Sequence, residues 1–257
     1  MTKLFINYNM GRSAGLWLEW AWNSHPDIWA LHTDIPLGYK PEDWPTYTEP
    51  TDILAFVDLD TWSRLDYSER ERYIFEHIRQ EFESGKWAAV GVVVHGFEPG
   101  DIVQLCAGLC ISNDGLFTQS LRNPIAVVGH RIKDDLDDWP TFKRRMYFYA
   151  QQYKTYIARA ANWPLIKIET LDASLEGDGT YFAHAMERIT GVSWSPEQVD
   201  HVRQNVRPNK KRFVSWTDDP EPAIRWESWG DDHRALFLEY FIDIMLTLGY
   251  SWPASCS

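Results

Sequence analysis

Lys3-Leu4-Phe5-Ile6-Asn7-Tyr8-Asn9-Met10-Gly11-Arg12-Ser13-Ala14-Gly15-Leu16-Trp17-Leu18-Glu19-Trp20 is the stretch whose reading decides the fold. Leu4–Asn7 is a short apolar run of the kind that forms a buried strand. Leu16–Asn23 has the length and apolar content of a helix. Between them lies a turn of small residues, which lets successive backbone N–H groups and the helix dipole converge on an anion. Arg12 adds a fixed cationic fork to that turn. The Gly-x-x-x-x-Gly-Lys-Ser/Thr spacing of a nucleoside triphosphate loop is absent. A tight strand-to-helix turn carrying a surface arginine is the competing reading.

Outward from this unit, strand patterns are predicted at Ile53–Asp58, Ala88–Val94, Ile125–Val128 and Leu165–Ile168. Helical patterns fall at Ser68–Glu83, Asp101–Cys110, Phe142–Ala160, Tyr181–Thr190 and Asp232–Leu248. Such alternation predicts an α/β fold, a mostly parallel central sheet with helices on both faces. Sites in such folds gather at the carboxyl ends of the strands. Residues 1–257 are read as one domain, with two Pro- and Trp-rich lid-like stretches at Ile35–Pro50 and Pro208–Trp229. Trp139, Trp216, Trp226 and Trp229 sit among charges and are candidates either for a substrate cleft or for rim packing.

The 25 Lys+Arg against 37 Asp+Glu leave a net charge of −12, which argues against a nucleic-acid partner held on a basic face. No apolar run approaches the roughly 20 residues of a bilayer span, and no secretory pattern is evident, so a soluble, cytoplasmic protein is expected. Three cysteines, Cys106, Cys110 and Cys256, provide neither a disulfide framework nor a zinc set. Cys106 and Cys110, four apart in an apolar run, are expected as buried helix positions. The acidic run Asp134–Asp138 reads as a solvated helix start.

The run Gly11-Arg12-Ser13-Ala14-Gly15-Leu16-Trp17-Leu18, followed by Asn23-Ser24-His25-Pro26, resembles the 5′-phosphosulfate loop and following helix of sulfotransferases that use 3′-phosphoadenosine 5′-phosphosulfate, PAPS. Asn162–Leu171, with Ile168-Glu169-Thr170-Leu171, is similar to the family's late Glu-Asp-Leu strand, and Ile189-Thr190-Gly191-Val192 to the turn after it. Arg225-Trp226 and the ending Leu248-Gly249-Tyr250 complete the resemblance. Ala14, Gly15 and Leu16 stand where the family has Gly-Thr-Thr.

The resemblance implies a P-loop-like fold and sulfuryl transfer from PAPS, with 3′-phosphoadenosine 5′-phosphate, PAP, as product. The family's chemistry uses no metal, so none is expected. The Trp and Tyr density of Ile35–Tyr67 and Trp216–Trp229 suggests an aromatic-lined cleft, and hence a small acceptor of aromatic, sugar or lipid-like character. His95, at the end of the predicted third strand, takes the place of the family's general base, with Val93 where a lysine is usual. Arg12 is implied as the group that stabilises the leaving phosphate, and Gly11 through Leu16 as cofactor contacts. Trp17 would stack on adenine. Family members carry Arg-Asp-Pro after the fourth strand and a serine about eight residues on, together holding the 3′-phosphate. Arg131 is taken for that arginine, although Trp139 replaces the serine. Lys210, Lys211 and Arg212 fall where a basic segment folds over the same phosphate; an ordinary solvated loop is the alternative. For His95 the alternative is a structural role, capping the Asp101 helix or binding a carbonyl. A non-catalytic nucleotide- or ligand-binding protein on the same fold is the competing function. Oligomeric state is not legible.

Overall fold

The computed structural model describes residues 2–10, 15–38, 56–95, 100–131, 138–206, 226 and 229–251. Five strands form one sheet: β1 (Lys3–Asn9), β2 (Ile28–His32), β3 (Ala89–His95), β4 (Leu116–Leu121) and β5 (Leu165–Lys167). Their order is β2-β3-β1-β4-β5, and every pairing is parallel. Helix α1 (Gly15–Asn23) joins β1 to β2; α2 (Asp34–Gly38), α3 (Leu59–Trp62) and α4 (Tyr67–Glu83) precede β3. After it come α5 (Asp101–Ser112), then α6 (Pro124–Arg131) and α7 (Trp139–Arg159) between β4 and β5. The chain continues through α8 (Ile168–Glu176), α9 (Thr180–Thr190), α10 (Pro196–His201), a π-helical turn (Val202–Val206) and α11 (Asp231–Leu248).

The sheet is buried because parallel strands need crossovers that cover its faces. β1 and β3 are buried along almost their whole length. The β1-to-β2 and β3-to-β4 crossovers run in opposite directions, so right-handed connections put α1 and α5 on opposite faces. α5 packs with α4, while Trp17 of α1 meets Phe182 of α9 edge-on. Trp17, Trp22, Phe5 and Phe182 are all but fully buried. Each such side chain contributes about 1.5–3 kcal/mol of burial free energy. Asp66 closes a capping box with Glu69 at the start of α4, a cap whose loss costs about 1 kcal/mol.

Two predicted strands are corrected. Ile125–Val128 lies inside α6, not in the sheet. Pro124 at the helix start has its φ preset and no N–H to satisfy, and the Asn123 side chain accepts the Ile125 N–H at 2.9 Å. In the Ile53–Asp58 run, Phe56–Asp58 form no strand, and Asp58 caps α3 instead; residues 53–55 lie outside the described residues. The strands actually present are β2 and β4. Cys106 and Cys110 are buried in α5 as expected, and burial pushes both thiols up to about 12.

Among the described residues no helix is long and apolar enough to cross a membrane.

Candidate active site at the carboxyl edge of the sheet

The chain leaves β1 toward β2 on one side and leaves β4 toward β5 on the other. The carboxyl ends of β1 and β4 are therefore a topological switch point, where open α/β sheets place their ligands. Strand register aligns Asn9 with His95 of β3 on one side and with Ser120 of β4 on the other. Asn9 donates to Ser120 Oγ at 2.8 Å, Ser120 donates to Asn7 Oδ1 at 2.8 Å, and Asn7 donates to Thr118 Oγ1 at 3.0 Å. All four side chains are buried. A buried polar chain with its partners in place fixes strand register more sharply than apolar contact. It holds the edge of the site rigid.

The start of α1 is locked onto this edge. A Cβ on Gly15 would stand 2.6 Å from His32 Nε2 and 3.1 Å from Asn9 Cγ, closer than real side chains approach. Only glycine lets the helix come so near the ends of β1 and β2. His32 is buried, and its ring stands edge-on to that of His95, with centroids 5.3 Å apart and planes at 87°. On its other side, His95 Nδ1 lies 2.5 Å from Asp34 Oδ2, with about a fifth of each side chain exposed. At the start of the Asp101 helix, buried Glu71 accepts the Asp101 and Ile102 N–H groups at 3.3 and 3.4 Å. The α5 N-terminus is filled by a carboxylate of the chain itself, so it is not where an external anion would sit.

Directly after β4 come Arg122-Asn123-Pro124. Arg122 Nε lies 3.9 Å from Glu169 Oε1, at the start of α8, and the same carboxylate accepts the Asn123 N–H at 2.8 Å and the Tyr250 hydroxyl at 3.1 Å. Tyr153 donates to the Arg122 carbonyl at 2.6 Å. Burial pushes the Arg122 guanidinium below its ordinary value, and Glu169 pulls it back. Burial, reinforced by the Glu169 charge, holds the Tyr250 hydroxyl far above its own, so it stays a neutral donor. The result is a largely buried cation beside Glu169, on a backbone held by Tyr153 and Glu169, just past the end of β4 and next to β1.

Several anticipated positions change. Arg131 ends α6, a helix of eight residues and so roughly 12 Å from the end of β4; Arg122 occupies the strand end instead. The displacement follows from β4 lying at Leu116–Leu121. Trp17 is fully buried against Phe182 and packs as core, leaving no ring face for adenine. Gly15 and Leu16 are buried as well. Trp226 and Trp229 are buried against Phe237 of α11, Trp229 stands edge-on to Phe142, and Trp139 stacks on Phe142 and stands edge-on to His233, so all three take part in the packing of α7 against α11. Gly11, Arg12, Ser13, Ala14, Lys210, Lys211, Arg212 and Trp216 lie outside the described residues.

Asp34, His32, Arg122 and Asn9 went unnoticed in the sequence. Arg122-Asn123-Pro124 carried a usable signal, since asparagine followed by proline marks a helix start. Nothing local marked Asp34. His25 of the His-Pro pair is buried and structural: its ring stacks at a tilt on Trp194 and contacts the Gln198 amide at 2.9 Å. Among the described residues, no three metal-ligating side chains are grouped to hold an ion.

No protein family, no curated protein and no solved structure matches the chain. Its chemistry has to be argued from its own residues.

Proposed function

We propose that this protein is a sulfotransferase that moves a sulfuryl group from PAPS to a hydroxyl or amine of a small acceptor. The observation that carries the reading is the pairing of two features across β1. His95 with its carboxylate partner ends β3 on one side, and Arg122-Asn123-Pro124 follows β4 on the other. The sulfotransferase pattern asks for a base at the first place and for Arg-Asp-Pro at the second. With β4 located, Arg122-Asn123-Pro124 matches that pattern at the arginine and the proline, with Asn123 where the family has aspartate, whereas Arg131 is followed by no proline. Eight residues past Arg122 stands His130, where the family has serine.

The residues fit the donor in part. Arg122 would hold the 3′-phosphate, and Arg12 with the Ser13–Leu16 backbone N–H groups would hold the 5′-phosphosulfate. The bound donor supplies an activated sulfuryl group with a phosphate leaving group. The chain's own part is to position it and neutralise charge, as in phosphoryl transfer. His95 accepts the proton of the acceptor as its oxygen or nitrogen bonds to sulfur. Arg12 and the loop N–H groups stabilise the negative charge that develops on the leaving 5′-phosphate. Adenine has to be held by something other than Trp17.

Calorimetric titration with PAP, ATP and 5′-AMP tests this on wild type, Arg12→Ala and Arg122→Met. Micromolar PAP binding that needs the 3′-phosphate is expected, with Arg122→Met abolishing the preference for PAP over 5′-AMP and Arg12→Ala weakening both. No binding, or equal preference for ATP, overturns the assignment. Because Gly15 and Leu16 are buried and bring no hydroxyl to the loop, a second reading stands beside it: a protein that binds the nucleotide without turnover. PAP binding with no transfer across a broad acceptor screen would select it.

A further inference from the structure

We propose that Asp34 is the positioning residue of this site: it holds the Nδ1 proton of His95 and so leaves Nε2 as the atom that takes the acceptor's proton. The inference deepens the sulfuryl-transfer reading and rests on it.

Asp34 owes its place to the chain immediately before it. Past the end of β2, Thr33 stays tied to β3, donating to the Val93 carbonyl from both its backbone N–H, at 3.0 Å, and its hydroxyl, at 3.2 Å. Val93 is two residues before His95, so Asp34 is delivered beside the histidine by a paired backbone and not by a free loop. The carboxylate then lies 2.5 Å from Nδ1. From the other direction His32 stands edge-on to the His95 ring, and His32 is itself pinned by the start of α1 at Gly15. The imidazole is held on two sides by groups that come from β2 and the residues after it.

A carboxylate accepting from Nδ1–H selects the tautomer whose Nε2 carries the lone pair, and it stabilises the imidazolium that follows. In the transfer step the acceptor's O–H proton passes to Nε2 while its oxygen bonds to sulfur. The bond from sulfur to the bridging oxygen breaks, and the electron pair leaves with the 5′-phosphate. The imidazolium, paired with Asp34, then returns its proton to solvent. Donor, acceptor and proton balance with no further reactant.

The test compares wild type with Asp34→Asn and Asp34→Glu. An amide at position 34 can donate to Nδ1, which puts the proton on Nε2 and blocks the base. Asp34→Asn is expected to lower kcat by about 10²- to 10⁴-fold, with acceptor KM and PAP affinity within about twofold of wild type, and Asp34→Glu to restore part of kcat. ¹⁵N spectra of His95 are expected to show the Nδ1–H tautomer in wild type and its loss in Asp34→Asn. An unchanged tautomer with kcat within threefold overturns the proposal, as does an equal loss of kcat and PAP affinity, which would mark a structural role. A wild type that shows the Nδ1–H tautomer but neither binds PAP nor transfers sulfate overturns the function and leaves the dyad standing.

Discussion

Replacing Gly15 by alanine puts the helix-to-sheet contact to a quantitative test. In an ordinary helix position, glycine to alanine stabilises by up to about 1 kcal/mol, because alanine has less backbone entropy to lose. Here the new methyl would begin 2.6 Å from His32 Nε2 and 2.8 Å from Cδ2. To reach 3.4 Å, the lower bound of ordinary contact, the ring or the helix must retreat by about 0.8 Å. His32 has little freedom to do so, being buried with its ring against His95. Overpacking of this kind costs about 1–3 kcal/mol, which exceeds the propensity gain. At about 2–4 °C of Tm per kcal/mol for a chain of this size, thermal unfolding should fall by several degrees. The double variant Gly15→Ala/His32→Ala should be less destabilised than the sum of its single changes, since the truncated ring makes room for the methyl. Thermal and urea unfolding of the four proteins measure the coupling. A Gly15→Ala protein as stable as wild type, or additive single effects, would refute the close approach on which the site's geometry depends.

Other consequences follow from particular contacts. Ser120→Ala strips Asn7 of a donor and Asn9 of an acceptor in a buried chain, so urea unfolding should show a loss of about 1–3 kcal/mol for each group deprived. His77 is stacked on Phe56, and burial lowers its pKa from the ordinary 6.5 more than Glu81 raises it. Protonation therefore favours the unfolded chain. The His77 contribution is complete above pH 6.5 and is lost as pH falls below that value toward the folded one. His77→Phe, which preserves the stack, should flatten urea midpoints between pH 7.5 and 5.5 relative to wild type; parallel curves would contradict this. In a Cys256→Ser background, the thiols of Cys106 and Cys110, buried and raised to about 12, should be silent to a disulfide reagent in native protein. Both should react in denaturant, and prompt labelling of the native form would show that α5 is not packed as described.

Where the sequence was legible and where it was not follows from what each strand buries. β1 and β3 are runs of apolar residues, and six of the helices carry clear periodicity, so both appear at nearly their observed bounds. β4 does not read as a strand because Thr118, Gln119 and Ser120 interrupt it. These residues are buried all the same: the Thr118 and Ser120 hydroxyls pair with Asn7 and Asn9, and the Gln119 side-chain N–H donates to the Tyr156 carbonyl. A hydrophobic scan cannot detect a strand whose burial is made tolerable by partners more than thirty residues away. The apolar Ile125–Val128 reads as a strand by the same criterion, although a short apolar run suits either a helix or a strand. With the strand at Leu116–Leu121, the residue that follows its carboxyl end is Arg122, while Arg131 stands at the end of α6.

The composition of the carboxyl edge bears on how a chain of net charge −12 could hold a polyanion. Three of the described acidic groups there are engaged: Glu71 closes the start of α5, Glu169 binds the Asn123 N–H and the Tyr250 hydroxyl, and Asp34 faces His95. A carboxylate spent on an internal donor presents less repulsion to an incoming phosphate than one facing it, because its hydrogen-bonded donors partly neutralise its field. Arg122, largely buried beside Glu169 at a strand end, has less side-chain freedom to lose on meeting an anion than a surface arginine has. Local arrangement of a few charges can therefore outweigh the sign of the whole surface, whose more distant charges are screened within about 8–10 Å at ordinary ionic strength. On this argument PAP affinity should decline with added salt far less than that of a ligand held by surface lysines, and should depend on Arg122 at every ionic strength.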